Sequence, residues 1–238
     1  LVGFFSIGKK PTGSKDPFAL RRNSFSIVQI LINFKINLSL NELPRLKNLS
    51  RNDLEDGNKS VYDSIVNSER GVGTLSDGSL PGPFNAWMHS DHVMAESLDN
   101  IGIAIRKNTS NVPNHMKELA ICTIACHFKC NVEFWAHSKS AEKAGVSVKI
   151  IESLYKGVSP QFENSIEGLE QSISYKLTKE YLSSYRVSDS TYEEALEIVG
   201  SVKGIVELVL VIGHYVGLAA QLNILRVPNP GDSQYFEY

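Results

Sequence analysis

The sequence predicts an all-α protein of roughly seven or eight helices, and three observations predict it. From residue 43 onward apolar residues recur at three- and four-residue spacings, the period of a helix packed on one face. Helix punctuation bounds these stretches: Ser90 or Asp91, Pro113, Ser147 and Ser188 or Asp189 at starts, Gly145 and Gly157 at ends. Beyond residue 45 no run of alternating apolar and polar residues closes on a hairpin turn, so a sheet has no support.

In chain order, residues 1–20 read as loop, with turn-formers at Lys10-Pro11 and Thr12-Gly13. Phe25 to Leu40 reads equally as a strand or a short helix. Pro44 to Leu49 reads as extended, and Asp53 to Ser68 as a helix with Leu54, Val61 and Ile65 at helical intervals. The stretch from Gly71 to Pro83 holds Gly71, Gly73, Gly78 and Gly82 with Pro81 and Pro83, and reads as loop. Helices then run to about Lys107, from Pro113 to about Lys129, from about Asn131 to Gly145, and from Ser147 to Gly157. Phe162 to Ser184, Ser188 or Asp189 to Val199, and Ser201 to Leu225 complete the set. Their short connections favour antiparallel neighbours. The organisation expected is an N-terminal extension over residues 1–42, of uncertain structure or disordered, followed by one domain over 43–238.

Composition sets the class. A 42% hydrophobic and 21% charged chain is ordinary globular composition. The most apolar run, Ile205 to Ala220, is interrupted by Glu207 and His214 and falls short of the ~20 residues a bilayer span needs, so it reads as a core helix and no membrane partner is expected. Charge is uneven: residues 1–41 hold Lys9, Lys10, Lys15, Arg21, Arg22 and Lys35 against Asp16 alone, so the remaining residues carry a net −7. That acidic body excludes a nucleic-acid footprint, and a small-molecule substrate is expected instead. The basic, acid-poor start has the composition of a mitochondrial presequence; without that role the expected location is the cytoplasm. Three cysteines, an odd number, argue for a reducing compartment and against a disulfide framework.

The chemistry-bearing segment runs from Glu118 to His137. Glu133 and His137 are four apart, so on one helix they share a face, where a carboxylate fixes the tautomer of an imidazole and raises its basicity. Glu118 and His127 lie on the preceding helix and converge on that pair if the two helices pack antiparallel. Cys122, Cys126 and Cys130 recur at helical spacing and read as small core residues more readily than as redox groups. His89, Asp91 and His92 do not share one helix face, so no metal site is expected. His214 and Tyr215 read as buried hydrogen-bonding groups, with a pocket-lining Tyr215 as the alternative.

The segment Glu118 to His137, continued by Gly145-Val146-Ser147, resembles a block of the carboxymuconolactone decarboxylase-like, or alkyl hydroperoxidase D-like (AhpD-like), family. Gly82-Pro83-Phe84-Asn85-Ala86-Trp87-Met88-His89-Ser90 resembles its entry block, and the runs from Tyr185 to Tyr192, from Val206 to Tyr215 and Leu222-Asn223 resemble its late helices. The resemblance covers residues 43 to 230. It implies an AhpD-like helical bundle, a homo-oligomer (trimer or hexamer), and a cofactor-free enzyme. Glu118 and His137 match the outer members of the family's Glu, Cys-x-x-Cys, His set and Cys130 the first cysteine, but Glu133 occupies the second cysteine position. That departure disfavours a thiol-dependent hydroperoxidase, because no resolving thiol stands there to close the disulfide cycle. The implied reaction is therefore a decarboxylase-like lyase acting on a small acidic or lactone-like metabolite. In it His137 donates the proton or anchors charge, Glu133 orients it, Glu118 supplies a second carboxyl and His127 a further donor. Pro83, Phe84, Trp87 and Tyr215 are the expected substrate-binding residues. A thiol peroxidase using Cys130 and a non-catalytic ligand-binding homologue are the alternatives.

Overall fold

Nine α-helices and no strand form among the residues that the computed structural model describes, 43–230 and 234–237. The extension over 1–42, with the strand-or-helix segment Phe25 to Leu40, lies outside the described residues. The chain divides into two units, Leu1–Leu43 and Pro44–Tyr238, and the described helices all lie in the second.

The all-α expectation holds, and most helix starts fall where a side chain can accept the first free N–H groups. After a 3-10 turn at Arg51–Asp53, α1 spans Asp56–Val66. Helix α3, His92–Lys107, opens with the Asp91 carboxylate accepting from Val93 N. Helix α4 spans Asn114–His127 behind Pro113, which takes the cap position just outside the first turn. Helix α5 spans Asn131–Lys143 and ends before Gly145 at φ +100°, where a side chain would be strained. Ser147, Ser165, Ser188 and Ser201 cap α6 (Val148–Tyr155), α7 (Ile166–Ser184), α8 (Asp189–Val199) and α9 (Val202–Ile224).

Two differences from the sequence expectation have local causes. Helix α7 begins at Ile166 and not near Phe162, because Ser165 turns back to cap Gly168 N and ends the extended approach. A ninth helix, α2 (Pro83–Trp87), sits in the glycine-rich stretch. Five residues are too few to show a period, and Gly82 at φ +59° supplies the turn into it. The same stretch contributes one isolated bridge, Ser50 to Ser79.

Helix α4 is the hub. It packs against α5, α6, α7 and α9, and nine of its fourteen residues are buried, with Met116, Leu119, Ala120, Cys122, Ile124 and Ala125 fully so. His115 bonds Glu170 on α7 at 2.9 Å, and Ser174 on α7 donates to the Met116 carbonyl at 2.7 Å. Helix α9 is long and apolar enough by composition to cross a bilayer, yet half of that window is buried inside the bundle. There Glu207 accepts from both nitrogens of Asn111.

The C-terminal tail is held by one amide. Asn131 Oδ1 accepts from the Tyr235 and Phe236 N–H groups at 2.7 and 2.9 Å, and its Nδ2 donates to the Phe236 carbonyl at 3.1 Å. This seats Phe236 edge-on against Phe134. Asn131→Ala leaves buried backbone groups without partners and is expected to cost about 1–3 kcal/mol. A lower urea midpoint, with faster amide exchange at Tyr235 and Phe236, is the expected readout; an unchanged midpoint would mean that the tail does not depend on Asn131.

Candidate active site

The site arises from a tight helical hairpin. Helix α4 ends at His127, Lys129 adopts φ +52°, and the Lys129 and Cys130 N–H groups bond back to the Cys126 and Ala125 carbonyls, which closes the turn in three residues. Helix α5 therefore runs back along α4 and brings Glu118, two turns before the end of α4, opposite His137. Glu118 Oε2 and His137 Nδ1 stand 2.7 Å apart, with both side chains largely buried. The His137 ring also meets the Tyr215 ring of α9 edge to face, 4.8 Å between centroids.

A cleft of about 260 Å³ opens beside Glu118, the member of the pair that lines it. Its polar lining is Arg106 from α3, Asn114, Lys117 and Glu118 from α4, Ser140 and Lys143 from α5, and Tyr215 from α9; Ile105, Ile121 and Val211 are among the apolar walls. Three basic side chains, Lys117 with its pKa lowered by burial, face one carboxylate, so the cleft attracts an anion. Burial raises the Tyr215 phenol well above its usual range, with Arg106 pulling the other way, so the hydroxyl stays protonated and available as a donor. Burial likewise pulls the Lys117 ammonium below its ordinary value, against the opposing pull of Glu118 and Glu207. His214, half-buried one residue before Tyr215, is also pulled down, first by burial and then by His137.

The structure brings Glu118, His137 and Tyr215 together and places the other expected site residues elsewhere. His127 is exposed at the far end of α4, against Phe128 and near Lys179, nine residues along the helix from Glu118. Glu133 is not the partner of His137: it is fully buried, and neither oxygen has a hydrogen-bond partner of ordinary geometry. Cys130 caps α5, fully buried beside Glu133. Pro83, Phe84 and Trp87 lie on α2, outside the cleft lining; Trp87 Nε1 donates to Gln221 on α9 at 3.0 Å, and Arg70 stacks over Phe84. Sequence reasoning missed Arg106, Lys117, Ser140 and Lys143. A lysine flanked by Met116 and the apolar run from Leu119 was the available signal for Lys117, and Ser140 follows His137 by one helical turn. Arg106 and Lys143 read as ordinary charges in the last turns of helices.

Comparison with known proteins points elsewhere than the family resemblance. Residues 1–67 match the family model described as glycyl-tRNA synthetase beta subunit. The glycine--tRNA ligase beta subunit of Janthinobacterium sp. (strain Marseille) is 40% identical over 78 residues, 31% of this chain and 11% of that protein. Its counterpart in Acinetobacter baylyi is 40% identical over 67 residues, 28% of this chain and 10% of that protein. That of Thiobacillus denitrificans is 58% identical over 43 residues, 18% of this chain and 6% of that protein. The chain thus spans about a tenth of the length of the curated relatives it matches.

These matches overturn the resemblance to the carboxymuconolactone decarboxylase-like, AhpD-like family. With it go the decarboxylase-like lyase, the thiol peroxidase, the non-catalytic homologue of that family and the homo-oligomer it implied. The peroxidase reading also fails on chemistry. Burial pushes the Cys126 thiol up to about 12 and raises Cys122 and Cys130 far above their ordinary value, so none supplies a thiolate. The expectation of a small-molecule substrate and no nucleic acid is corrected by relatives that are tRNA ligase subunits. That exclusion rested on the acidic residues beyond 41, whereas the match takes in the basic residues before them.

Glu133 makes stability depend on pH. Burial raises its carboxyl well above the ordinary value, so the folded protein holds a proton there that the unfolded chain releases near pH 4.5. This group's contribution is complete below that pH and is lost as pH rises toward the folded value. Glu133→Gln removes the titration. Its melting temperature relative to the native chain is expected to rise steadily above pH 4.5; a difference independent of pH would show that Glu133 ionises freely in the fold.

Proposed function

We propose that this chain works with a glycine--tRNA ligase, its first 67 residues taking the part that the matching stretch plays in a ligase beta subunit. The observation that carries this reading is the family match over residues 1–67, with 58% identity over 43 residues to the Thiobacillus denitrificans relative. With about a tenth of the relatives' length matched, the proposal concerns attachment and not a whole ligase activity. A beta subunit has a second kind of subunit to hold, and a tRNA ligase has tRNA; these are the proposed partners. The +5 charge of residues 1–41 suits contact with phosphate. In this reading residue 43 parts the basic segment from the helical body, although the matched stretch runs on through α1. A cytoplasmic location goes with it.

The helical body has its own site in this reading. The 2.7 Å contact between Glu118 and His137, next to a cleft with three basic side chains, favours a proton-transfer site for a carboxylate or phosphate group. Arg106 and Lys143 hold the anion, Tyr215 donates to it, and the Glu118–His137 pair gives or takes the proton.

The attachment is tested by mixing the full chain with the alpha subunit of glycine--tRNA ligase from Thiobacillus denitrificans and measuring the mass of the eluted species by light scattering. Co-elution is expected at micromolar concentrations, lost when residues 1–42 are removed. Separate elution of the full chain, or equal co-elution of the truncated one, would contradict the proposal.

A further inference from the structure

Lys117 is a buried amine without an ion-pair partner among the described residues. Its Nζ is bonded to one residue, at 3.0 Å to the Thr109 hydroxyl and 3.4 Å to the Thr109 carbonyl. The Thr109 hydroxyl donates its own hydrogen to the Ile105 carbonyl at 2.5 Å, so it can only accept from Lys117. Glu207, which draws on Lys117 electrostatically, is occupied by Asn111 and by Lys203. The side chain is 8% exposed, and what exposure it has faces the cleft it lines with Glu118 and Tyr215.

We propose that Lys117 is an amine nucleophile that captures the carbonyl carbon of a small anionic aldehyde or ketone, an oxo-acid in chemical class, entering this cleft. The positive rim of Arg106 and Lys143 receives the anionic group, and the carbonyl end reaches the floor where Lys117 lies. The nitrogen lone pair forms the C–N bond as the carbonyl π pair moves to oxygen. One proton passes from nitrogen to that oxygen and gives a carbinolamine. A proton delivered to the hydroxyl lets it leave as water with the C–O pair, while the nitrogen pair closes the C=N bond and the remaining N–H proton returns to the group that gave the first. Amine and carbonyl thus become imine and water, with no oxidation or reduction. Burial that pulls Lys117 below its ordinary value keeps more of it neutral near pH 7 than an exposed lysine. The proposal rests on the acid–base reading of Glu118 and His137 only for the dehydration step.

The test uses the full chain with glyoxylate, an aldehyde carrying a carboxylate, and sodium cyanoborohydride to reduce any imine to a stable secondary amine. Peptide mass spectrometry then gives the labelling rate at every lysine in one sample, so no variant needs to fold. Lys117 is expected to react about tenfold faster than the exposed Lys149 and Lys203, with most of that preference lost when neutral propionaldehyde replaces glyoxylate. Slower labelling of Lys117 in Glu118→Gln supports the nucleophile together with its acid. Unchanged labelling there supports the nucleophile and removes the pair from dehydration. Labelling of Lys117 no faster than Lys149 and Lys203 overturns the proposal.

Discussion

Helix α4 has almost no face toward water, and that constraint organises the rest of the helical body. Between its exposed ends, Asn114 and His127, a helix buried between α5, α6, α7 and α9 must find partners inside for the polar side chains it carries. Thr123 bonds back to the Leu119 carbonyl, His115 reaches Glu170, and Lys117 reaches Thr109. Glu118 finds His137. Lys117 and Glu118 stand at the edge of the hub where the packing opens into a cleft, within reach of a ligand.

The same constraint explains the division of labour among the carboxylates. Glu118 and Glu133 lie on the two arms of one hairpin, and both come within range of the Tyr215 phenol. Glu118 has an imidazole at 2.7 Å and the cleft beside it; Glu133 has neither oxygen bonded and carries the cost of burial in full. Only the paired one faces the cleft.

Much of the fold was legible because caps are local chemistry. Asp91, Ser147 and Ser188 mark helix starts that need no tertiary information, whereas α2 is set by Gly82 and by Trp87 reaching Gln221 on a helix far along the chain. The site was legible in part. Spacing brought Glu118 and His137 into one hairpin, but an i, i+4 interval gives only nearness of Cβ atoms, and the Glu133 side chain turns inward. Lys117 was overlooked because a lysine in sequence reads as a solvated charge, although it sits between Met116 and the apolar run from Leu119. Identity was the least legible: the run from Gly82 to Tyr215 shares residue types with one family, while the stretch with measurable identity to known proteins lies over residues 1–67, much of it set aside as an extension. The basic segment was noted there, but as a presequence-like start and not as part of the family.

The account of the helical body turns on the proton between Glu118 and His137, and long-range proton–nitrogen NMR of the full chain observes it directly. At pH 7 the account predicts that His137 Nδ1 bears the proton and donates it to Glu118, with a downfield signal protected from exchange that is lost in Glu118→Gln. A bare Nδ1 with the proton on Nε2 alone, unchanged in that variant, would contradict it.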